Sequence, residues 1–491
     1  MKLVTKLGSL LVLGSAVLMM LGCVAPAAGD AGQTSSVVIA VSQAPGGVYP
    51  GEEWVWADRP ESLGWSSEKL AEAQSYSETI GTAAVMIVDD GVVVDAWGDL
   101  SLNYHCHSMR KSLMSALYGI YVDEGAIDLT KTLADLRITE LNNPLTQTES
   151  RATVADLLKA RSGVYIRATG ESWEMAELRP ERGSHPPGTF WYYNNWDFNA
   201  LGTIFDRVSG EKNIYVAFQE RIAGPVGMQD YHPDEHVYSY EPYSMHPYYG
   251  FNLSTRDLAR FGLLFLREGR WLDRQIIRAE WVAESTATHS ETGPESGYGY
   301  MWWTGSGGGL FPDVHVAEHC YYASGYRGHR VVVLPYLDIV IVHRVNTFEY
   351  EDEVTSAEFG ALLWRILDAA GEEAIGEPPF IEWAPGERLT GGELRSTLAD
   401  AELRATAQAM ETIARFGVDG DLRILIGGEI AIEGTWAIEG DRLVVDAPGI
   451  ETGGPLDAVR DGTQLRLYEP SGILSNTFEI VGEEMSEDTE P

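Results

Sequence analysis

Apolar and polar positions follow two different periods along this chain, and each period predicts a type of element. Helical spacing is found at 67–80 and again at about 354–370. Short apolar or β-branched runs bounded by turn residues predict strands at 83–88, 92–97, 330–334 and 339–344. The first two flank Asp89-Asp90-Gly91, which predicts a hairpin. Early and late segments are therefore expected to share one antiparallel sheet flanked by helices, while the middle forms a mostly helical lobe.

The last quarter of the chain has a different pattern. Residues 373–390 are rich in Pro and Gly and predict a linker, so that the main domain covers 51–372. Residues 391–485 then predict a small all-β module, a meander or a lipocalin-like fold, with strands at 422–426, 429–432, 435–438, 442–445 and 464–468. No chemically active set of residues is found there. Packing or shielding of a substrate is the expected role, and a ligand pocket is the alternative.

The N-terminus has the composition of an export signal. Two lysines precede a mostly apolar run at 7–21, which is too short for a transmembrane helix. We interpret residues 1–22 as a signal peptide that ends in a lipobox-like sequence, with Cys23 as a lipid-modified residue; cleavage near Ala27-Ala28 is the alternative. Residues 23–50 predict a flexible tether. The protein is thus expected to be exported and lipid-anchored at the cell envelope, in the periplasm or on the outer surface.

The formal net charge of −38 narrows the range of partners. Such a surface repels nucleic acid and anionic lipid headgroups. No nucleic-acid partner is therefore expected, and membrane contact is expected through the N-terminal anchor only. Lysine is scarce beside arginine, which draws attention to Lys111.

Ser108-Met109-Arg110-Lys111 begins an apolar helical stretch. A serine and a lysine three residues apart lie on one face of a helix, one turn from each other. A serine hydroxyl becomes a good nucleophile when a base takes its proton, and a lysine is such a base when burial and the helix N-terminus hold it neutral. By itself the motif also fits an ordinary solvated helix turn.

Tyr193-Asn194-Asn195 is the second motif. It follows a Pro-Gly turn and an aromatic run, and precedes a helical pattern that contains Phe198 and Leu201. Tyr193 could share a proton with Lys111 and pass it to a leaving group, and Asn195 could orient the lysine or a substrate carbonyl. A turn packed by aromatic side chains is the structural alternative.

With both motifs in this order, the chain resembles the serine β-lactamase and penicillin-recognising superfamily, in particular its class C-like branch of esterases, D-amino-peptidases and nylon-oligomer hydrolases. The resemblance covers about residues 55–370 and includes further stretches at Thr153–Leu158, Arg161–Gly163, Ser254–Gly262, Tyr298–Trp303 and Ala323–His329. It implies an α+β fold of the β-lactamase/transpeptidase type, with the active site between the sheet and the helical lobe.

One departure from this family bears on the substrate. β-Lactamases and transpeptidases carry a third motif, K-T-G, whose lysine helps to hold the carboxylate of a β-lactam, whereas the last lysine of this chain is Lys212. Ala323-Ser324-Gly325, or else His319, stands at the matching position. An ester or small amide without such a carboxylate is therefore the expected substrate. A β-lactamase or D-Ala-type peptidoglycan peptidase is one alternative, and a catalytically inactive ligand-binding protein is another.

The resemblance also implies roles for individual residues. Ser108 would form an acyl-enzyme after losing its proton to Lys111, with Tyr193 assisting and later protonating the leaving group. Backbone N–H groups of Ser108 and of Ser324-Gly325-Tyr326 would stabilise the oxyanion, and Asn195 would contact the substrate. The candidates for an apolar pocket are Tyr165, Trp191, Tyr192, Trp196 and Tyr322. No metal or organic cofactor is implied.

Histidine and cysteine spacing leads to two more predictions. His315 and His319 match a zinc-protease pattern that requires a helix, but their surroundings predict a strand, on which the two histidines are about 13 Å apart, so no metal site is expected. Cys106 and Cys320 precede the nucleophile and the third motif, segments that are neighbours in the resembled fold. A Cys106–Cys320 disulfide is therefore our hypothesis for an exported protein, with two buried thiols as the alternative.

Overall fold

The computed structural model describes residues 47–481 except 141, 211–212, 294–295, 306–308, 312–313, 316–318, 349–352, 372–386, 408–409, 427–428, 440–441, 448–455, 462 and 469–473. The predicted signal peptide, Cys23 and most of the tether lie outside the described residues, as does most of the predicted linker. Within the described part, residues 47–310 and 314–371 form one compact unit, the main unit, and Phe311 with 387–481 forms the C-terminal unit. No helix among the described residues combines the length and apolarity needed to cross a membrane.

The strands up to residue 345 range from two to eight residues in length. In chain order they are β1 Thr82–Asp89, β2 Val92–Gly98, β3 Tyr104–His105, β4 Tyr238–Ser239, β5 Tyr248–Tyr249, β6 Asn252–Leu253, β7 Arg270–Trp271, β8 Arg274–Gln275, β9 Ser290–Gly293, β10 Ser296–Tyr298, β11 Trp303–Gly305, β12 Gly309–Phe311, β13 Val314–His315, β14 Cys320–Gly325, β15 His329–Leu334 and β16 Ile339–Val345. Eight of them form one antiparallel sheet in the order β2-β1-β16-β15-β14-β11-β10-β9. The strands predicted near both ends of this unit are thus neighbours in the sheet.

The helices of the main unit lie before, between and after these strands. They are α1 Ser67–Thr79, α2 Arg110–Asp123, α3 Val154–Leu158, α4 Trp173–Glu177, α5 Asn195–Val208, α6 Ile214–Phe218, α7 Gly224–Val226, α8 Thr255–Leu266, α9 Ala279–Thr286 and α10 Ser356–Ala370. Side-chain caps fix several of their first turns; Ser254 caps α8, and Thr355 forms a capping box with Glu358 at α10. The expected helical middle lobe is therefore present, in short segments.

Helices cover both faces of the sheet. Successive residues of a strand point to opposite faces, and in β16 Val340 lies against Gly262 of α8 whereas His343 packs against Phe359 of α10. All seven residues of β16 are buried. This burial explains why the first four residues, 339–342, are a continuous apolar run rather than an alternating one.

Arg267 ties two hairpin turns together at one end of the sheet. Its guanidinium bonds Asp90 Oδ1 at 2.7 Å, in the β1–β2 turn, and contacts the carboxylate of Asp338, in the β15–β16 turn. We call Arg267, Asp90 and Asp338 the hairpin corner. Val48 is buried beside it and donates its N–H to the Asp90 carbonyl at 3.3 Å. Residues 47–50, which the sequence assigned to the tether, are therefore part of the folded unit.

The C-terminal unit is all-β apart from one helix, α11 Gly391–Leu398. Its strands are β17 Glu387–Arg388, β18 Ala401–Ala407, β19 Met410–Phe416, β20 Asp421–Ile426, β21 Glu429–Glu439, β22 Arg442–Asp446, β23 Asp457–Asp461, β24 Gln464–Tyr468 and β25 Leu474–Val481. They pair in the order β17-β23-β24-β25-β18-β19-β20-β21-β22, and two hydrogen bonds join Leu443 to Leu456, just before β23. The sheet thus curls back on itself.

The interior of this unit is apolar. Leu394 and Leu398 of α11 belong to one cluster with Trp436 and the inward residues of the strands. The prediction of two strands at 429–432 and 435–438 is wrong, because β21 runs through Gly434. A Cβ at Gly434 would lie 2.4 Å from that of Ala447. The glycine therefore allows a close approach of the chain beside β21 and does not mark a turn.

Candidate active site

Ser108 lies in a tight turn that leads directly into α2. His107–Met109 form a 3₁₀ turn, and α2 begins at Arg110. The turn is anchored on one side by the Cys106 N–H, which donates to the Phe251 carbonyl at 2.8 Å, and on the other by the fully buried Met109. His107 has φ +46°, a left-handed conformation that is strained for a residue with a side chain. Ser108 itself is partly exposed, so a substrate can reach it.

Lys111 occupies the first turn of α2, where its side chain returns toward Ser108. The Lys111 Nζ lies 2.7 Å from the Ser108 Oγ. The residue is 2 % exposed, and its amine also lies 4.5 Å from the ring centroid of Tyr193 and 4.9 Å from that of Phe198. Burial lowers the pKa of Lys111 well below its usual value, and the charge of Arg110 lowers it further. Both effects favour the neutral amine, which is the form that accepts a proton.

Tyr193 completes a triangle with these two side chains. Burial raises the pKa of the Tyr193 phenol, and hydrogen bonding to Ser108 opposes that shift. The phenol therefore keeps its proton at neutral pH and can donate it. The structure thus brings Ser108, Lys111 and Tyr193 together, as the two sequence motifs predicted.

A buried polar network positions the Tyr193 turn. Asn194 caps α5, accepting from the Trp196 N–H at 3.1 Å, and its amide donates to the Val164 carbonyl at 2.7 Å. Asp197, one turn into α5, accepts from the Ser162 hydroxyl at 2.5 Å and from the Asn194 amide at 2.9 Å. Burial raises the pKa of Asp197 well above its usual value, and these hydrogen bonds oppose the shift. The network gives Ser162, in the stretch Arg161–Gly163, a part in holding the Tyr193 turn.

Asp197 was not singled out from the sequence. An acidic residue three positions after an Asn N-cap resembles a capping box, and that spacing could have identified it. Asn195 was singled out, and the structure shows its amide donating to the Gly170 carbonyl at 2.7 Å. Its Oδ1 is buried without a hydrogen-bond partner among the described residues, which leaves one polar atom available beside the Tyr193 turn.

The third-motif strand, β14, ends against the nucleophile turn. A Cβ at Gly325 would lie 2.7 Å from the Cys106 carbonyl oxygen and 3.4 Å from Met109 Cγ. Only glycine fits there without displacing the turn. Ser324 is partly exposed and pairs with Arg330 of β15, and Tyr326 is 51 % exposed, with its ring 5.9 Å from that of His107. The structure therefore places all three residues next to the Ser108 turn.

Aromatic rings surround Trp303 next to the triangle. Ring centroids lie 5.5 Å from Trp303 for Tyr193, 5.2 Å for Tyr298, 6.0 Å for Trp191 and 6.3 Å for Tyr322. We call these five residues the aromatic wall. Trp191 and Tyr322, two of the predicted pocket residues, belong to it.

The other predicted pocket residues lie elsewhere. Tyr165 is buried against His185 and Tyr192. Trp196 is fully buried and donates to Glu140 Oε1 at 3.1 Å. The structure thus places Trp196, the second residue of α5, in the core rather than in the predicted pocket.

The predicted Cys106–Cys320 disulfide is wrong, and both thiols are free and buried. Cys106 contacts Gly325 at the end of β14, whereas Cys320 begins that strand. Five residues along a strand span about 16 Å, and a disulfide requires Cα atoms within about 7 Å. The segments are indeed neighbours, but the two cysteines lie at opposite ends of the shared strand.

Two other kinds of ligand site can be compared with this one, a metal site and a second cavity. Among the described residues, no group of three or more His, Cys, Asp or Glu side chains could hold a metal ion. A cavity of about 330 Å³ lies at the far end of α2, about 20 Å from Ser108 along the helix. Its charged lining residues are paired, Arg221 with Glu124 and Arg278 with Asp123, so it offers no free charge to a ligand.

The sequence of this chain matches the model of a known protein family. A sequence model described as Beta-lactamase matches residues 68–363. A search of curated protein sequences gives no significant match.

Solved structures were also compared. A Bacillus anthracis protein provisionally assigned as a 6-aminohexanoate-dimer hydrolase is 19 % identical, with 66 % of this chain and 87 % of that chain covered and a TM-score of 0.48. An octameric penicillin-binding protein homologue from Pyrococcus abyssi is 16 % identical, with 84 % and 99 % covered and a TM-score of 0.48. The hydrolase EstCE1, described as having promiscuous acyltransferase activity, is 15 % identical, with 63 % and 99 % covered and a TM-score of 0.44.

Proposed function

This chain belongs to the beta-lactamase family, which comprises serine hydrolases of the β-lactamase fold, and on that premise we propose that it is an exported hydrolase that cleaves an ester or small amide through an acyl-enzyme on Ser108. The observation that carries the proposal is the buried Lys111 amine 2.7 Å from the Ser108 hydroxyl. A neutral amine at that distance is a general base, and a general base is what a serine nucleophile needs.

The reaction proceeds in two steps. Lys111 takes the proton of Ser108 while the serine oxygen attacks the substrate carbonyl, and the resulting oxyanion is stabilised by backbone N–H groups of Ser108 and of the Ser324–Tyr326 segment. Tyr193 then protonates the leaving alcohol or amine and recovers a proton from Lys111, so the acyl group stays on Ser108 and the amine is neutral again. Lys111 next takes a proton from water as the water oxygen attacks the acyl ester, and that proton returns to the Ser108 oxygen as the acid is released.

The residues around the triangle support an ester or small amide rather than a β-lactam. No lysine follows Lys212 in the chain, so the third motif lacks the lysine that holds a substrate carboxylate in β-lactamases. The aromatic wall instead offers apolar surface next to Tyr193, which suits an acyl or alkyl group. Asn195, with its unpartnered Oδ1, is the candidate for a polar contact with the substrate.

A substrate panel tests the proposal. Wild type and Ser108→Ala are compared on p-nitrophenyl esters of increasing acyl length and on a chromogenic cephalosporin, with Ser115→Ala as the matched control. Ser115 lies on the same helix, fully buried, and its hydroxyl has no partner among the described residues. We expect S108A to lower kcat/KM for esters at least about 10⁴-fold and S115A to change it by less than about threefold.

Intact mass spectrometry gives the second readout. An acyl adduct that forms on wild type and S115A but not on S108A supports the proposal. Cephalosporin turnover without ester turnover would favour the β-lactamase alternative. Absence of both turnover and adduct would leave the inactive binding protein as the better interpretation.

Export and anchoring form a separate part of the proposal. Two lysines, the apolar run 7–21 and Cys23 support a lipid-modified N-terminus. In a bacterial host fed a labelled fatty acid, the wild type should incorporate label and fractionate with membranes, whereas Cys23→Ser should do neither. Equal labelling of the two proteins would rule out an anchor at Cys23.

A further inference from the structure

Arg110, between the nucleophile turn and Lys111, is a buried charge that the proposed mechanism does not use. Its side chain is fully buried, and its guanidinium lies between two rings, 4.1 Å from the centroid of Tyr248 and 4.2 Å from that of Tyr249. Nη2 donates to the Asn199 Oδ1 at 3.0 Å. Nε and Nη1 have no hydrogen-bond partner among the described residues. Two π faces and one amide oxygen thus hold the cation.

The position of this charge is the second observation. Among the described residues, no carboxylate forms an ion pair with Arg110, so its positive charge is not neutralised locally. Arg110 and Lys111 are adjacent in the chain, with Cα atoms about 3.8 Å apart. Burying two neighbouring cations is costly. A guanidinium keeps its proton in proteins whereas an ammonium can release one, so the lysine is the partner that becomes neutral.

Other titratable groups lie near Lys111 and Arg110. Ser108 and Tyr193 contact Lys111, and His107 belongs to the same turn as Ser108. Tyr248 and Tyr249 contact Arg110, Tyr298 contacts Tyr193, and Asp197 lies in the first turn of α5. The pKa of His107 is lowered to about 3 by burial, and burial raises the pKa of each of these tyrosines, so all of them are neutral near pH 7. Asp197 is engaged by Ser162 and Asn194. Among these groups, Arg110 is therefore the one that carries a permanent positive charge.

We propose that Arg110 is a positioning residue whose unneutralised charge keeps Lys111 unprotonated and thereby sets the lowest pH at which Ser108 is acylated. The inference rests on the proposed function for its catalytic consequence. Its electrostatic part concerns the protonation of one amine and can be measured without any substrate.

The experiment follows the Lys111 amine directly. The chain has seven lysines, so protein labelled with ¹³C at the lysine ε-carbon gives few signals, and Lys111→Met assigns the one of interest. Wild type, Arg110→Met and Asn199→Ala are titrated from pH 5.5 to 10.5. R110M removes the charge, whereas N199A removes the hydrogen bond to the guanidinium and leaves the charge in place. Arg110→Gln is titrated in parallel as a second neutral variant in case R110M does not fold.

The expected result separates charge from structure. In R110M or R110Q the Lys111 midpoint rises by at least about one pH unit, and in N199A it stays within about 0.3 unit of wild type. The burst rate with a p-nitrophenyl ester falls at least about tenfold at pH 6.5 in R110M and recovers by pH 9. An unchanged midpoint in the neutral variants, or equal shifts in R110M and N199A, would overturn the inference. A shifted midpoint without a burst in any protein, wild type included, would support the electrostatic role while refuting the proposed function.

Discussion

Two corners of the main unit each hold an arginine, Arg110 fully buried and Arg267 partly buried, and the surroundings of the two guanidinium groups are opposite. At the hairpin corner, Arg267 contacts the carboxylates of both Asp90 and Asp338. At the nucleophile turn, Arg110 contacts two tyrosine rings and one amide oxygen, and no carboxylate among the described residues. The first arginine joins two turns, whereas the second adds positive charge next to Lys111.

The difference indicates where this fold uses charge for stability and where for chemistry. A neutralised guanidinium that bridges two turns reduces the freedom of both. A guanidinium without a counterion beside a buried amine opposes folding and is retained only where it serves another purpose. The hairpin corner should therefore respond to substitution through stability, and the nucleophile turn through activity.

Among the substitutions that test the difference between the two corners, Lys111→Met is expected to have the largest effect. Removing the base should lower kcat/KM for p-nitrophenyl esters by about 10³- to 10⁴-fold. The same change removes a buried amine with a lowered pKa, so the free energy of unfolding in urea should rise by about 0.5–2 kcal/mol. Lys159→Met, at a partly exposed lysine after α3, is the control and should affect neither. If K111M lost stability as well as activity, the expectation that the nucleophile turn responds to substitution through activity alone would be wrong.

Tyr193→Phe should have the next largest effect, and it should depend on the leaving group. An alkyl alcohol needs a proton to leave and p-nitrophenolate does not, so hydrolysis of alkyl esters should slow by about 10²- to 10³-fold and that of p-nitrophenyl esters by less. Tyr192→Phe is the matched control, since that hydroxyl donates to the Met175 carbonyl. Equal slowing of both ester types would show that Tyr193 does not protonate the leaving group.

Arg267→Met tests the other corner. It should lower the free energy of unfolding by about 1–3 kcal/mol, because two partly exposed carboxylates lose their shared partner. The kcat should stay within about twofold of wild type. Arg278→Met, which breaks an exposed pair with Asp123, should cost less than about 1 kcal/mol. A large loss of kcat in R267M would show that the two corners are coupled.

The smallest effect is a pH dependence of stability. Burial lowers the pKa of Lys111 in the folded chain, so between that lowered pKa and about 10.4 the unfolded chain binds one more proton than the folded chain. The stability of wild type must then rise with pH in this range relative to K111M. Urea unfolding at pH 7 and pH 10 should show the advantage of K111M shrinking. A constant difference would mean that the amine is charged in the folded protein.

The sequence predicted those parts of the fold that are specified locally. β1, β2, β15, β16, α1 and α10 were found from their apolar runs and helical spacing, and the α+β fold of the β-lactamase/transpeptidase type that the resemblance implied is confirmed. In the C-terminal unit β18 and β19 were missed. β18 consists largely of Ala, with Glu and Arg, residues that do not favour strands, and it forms a strand because it pairs with β19 and β25 on its two sides.

The candidate site was predictable to a similar extent. Ser108 and Lys111 could be placed together because helical spacing is a local property, and Tyr193 came from the second motif; their catalytic roles stay predictions. Arg110 could not be interpreted from sequence, since its partner Tyr248 is distant in the chain. The spacing of Asp197 from its helix cap is local, but its bond to Ser162 is not. The cysteine pairing failed for the same reason, because neighbouring segments do not determine which residues of a strand meet.

Those two cysteines have a practical consequence. Burial raises the pKa of Cys106 to about 11 and that of Cys320 to about 12. At neutral pH neither thiol should therefore react while the protein is folded. A chromogenic thiol reagent should therefore modify these two cysteines only in molecules that unfold. The rate of modification would then report the unfolding kinetics without any added label. Since folding forms no disulfide between them, a reducing expression host should yield the same native protein as an oxidising one.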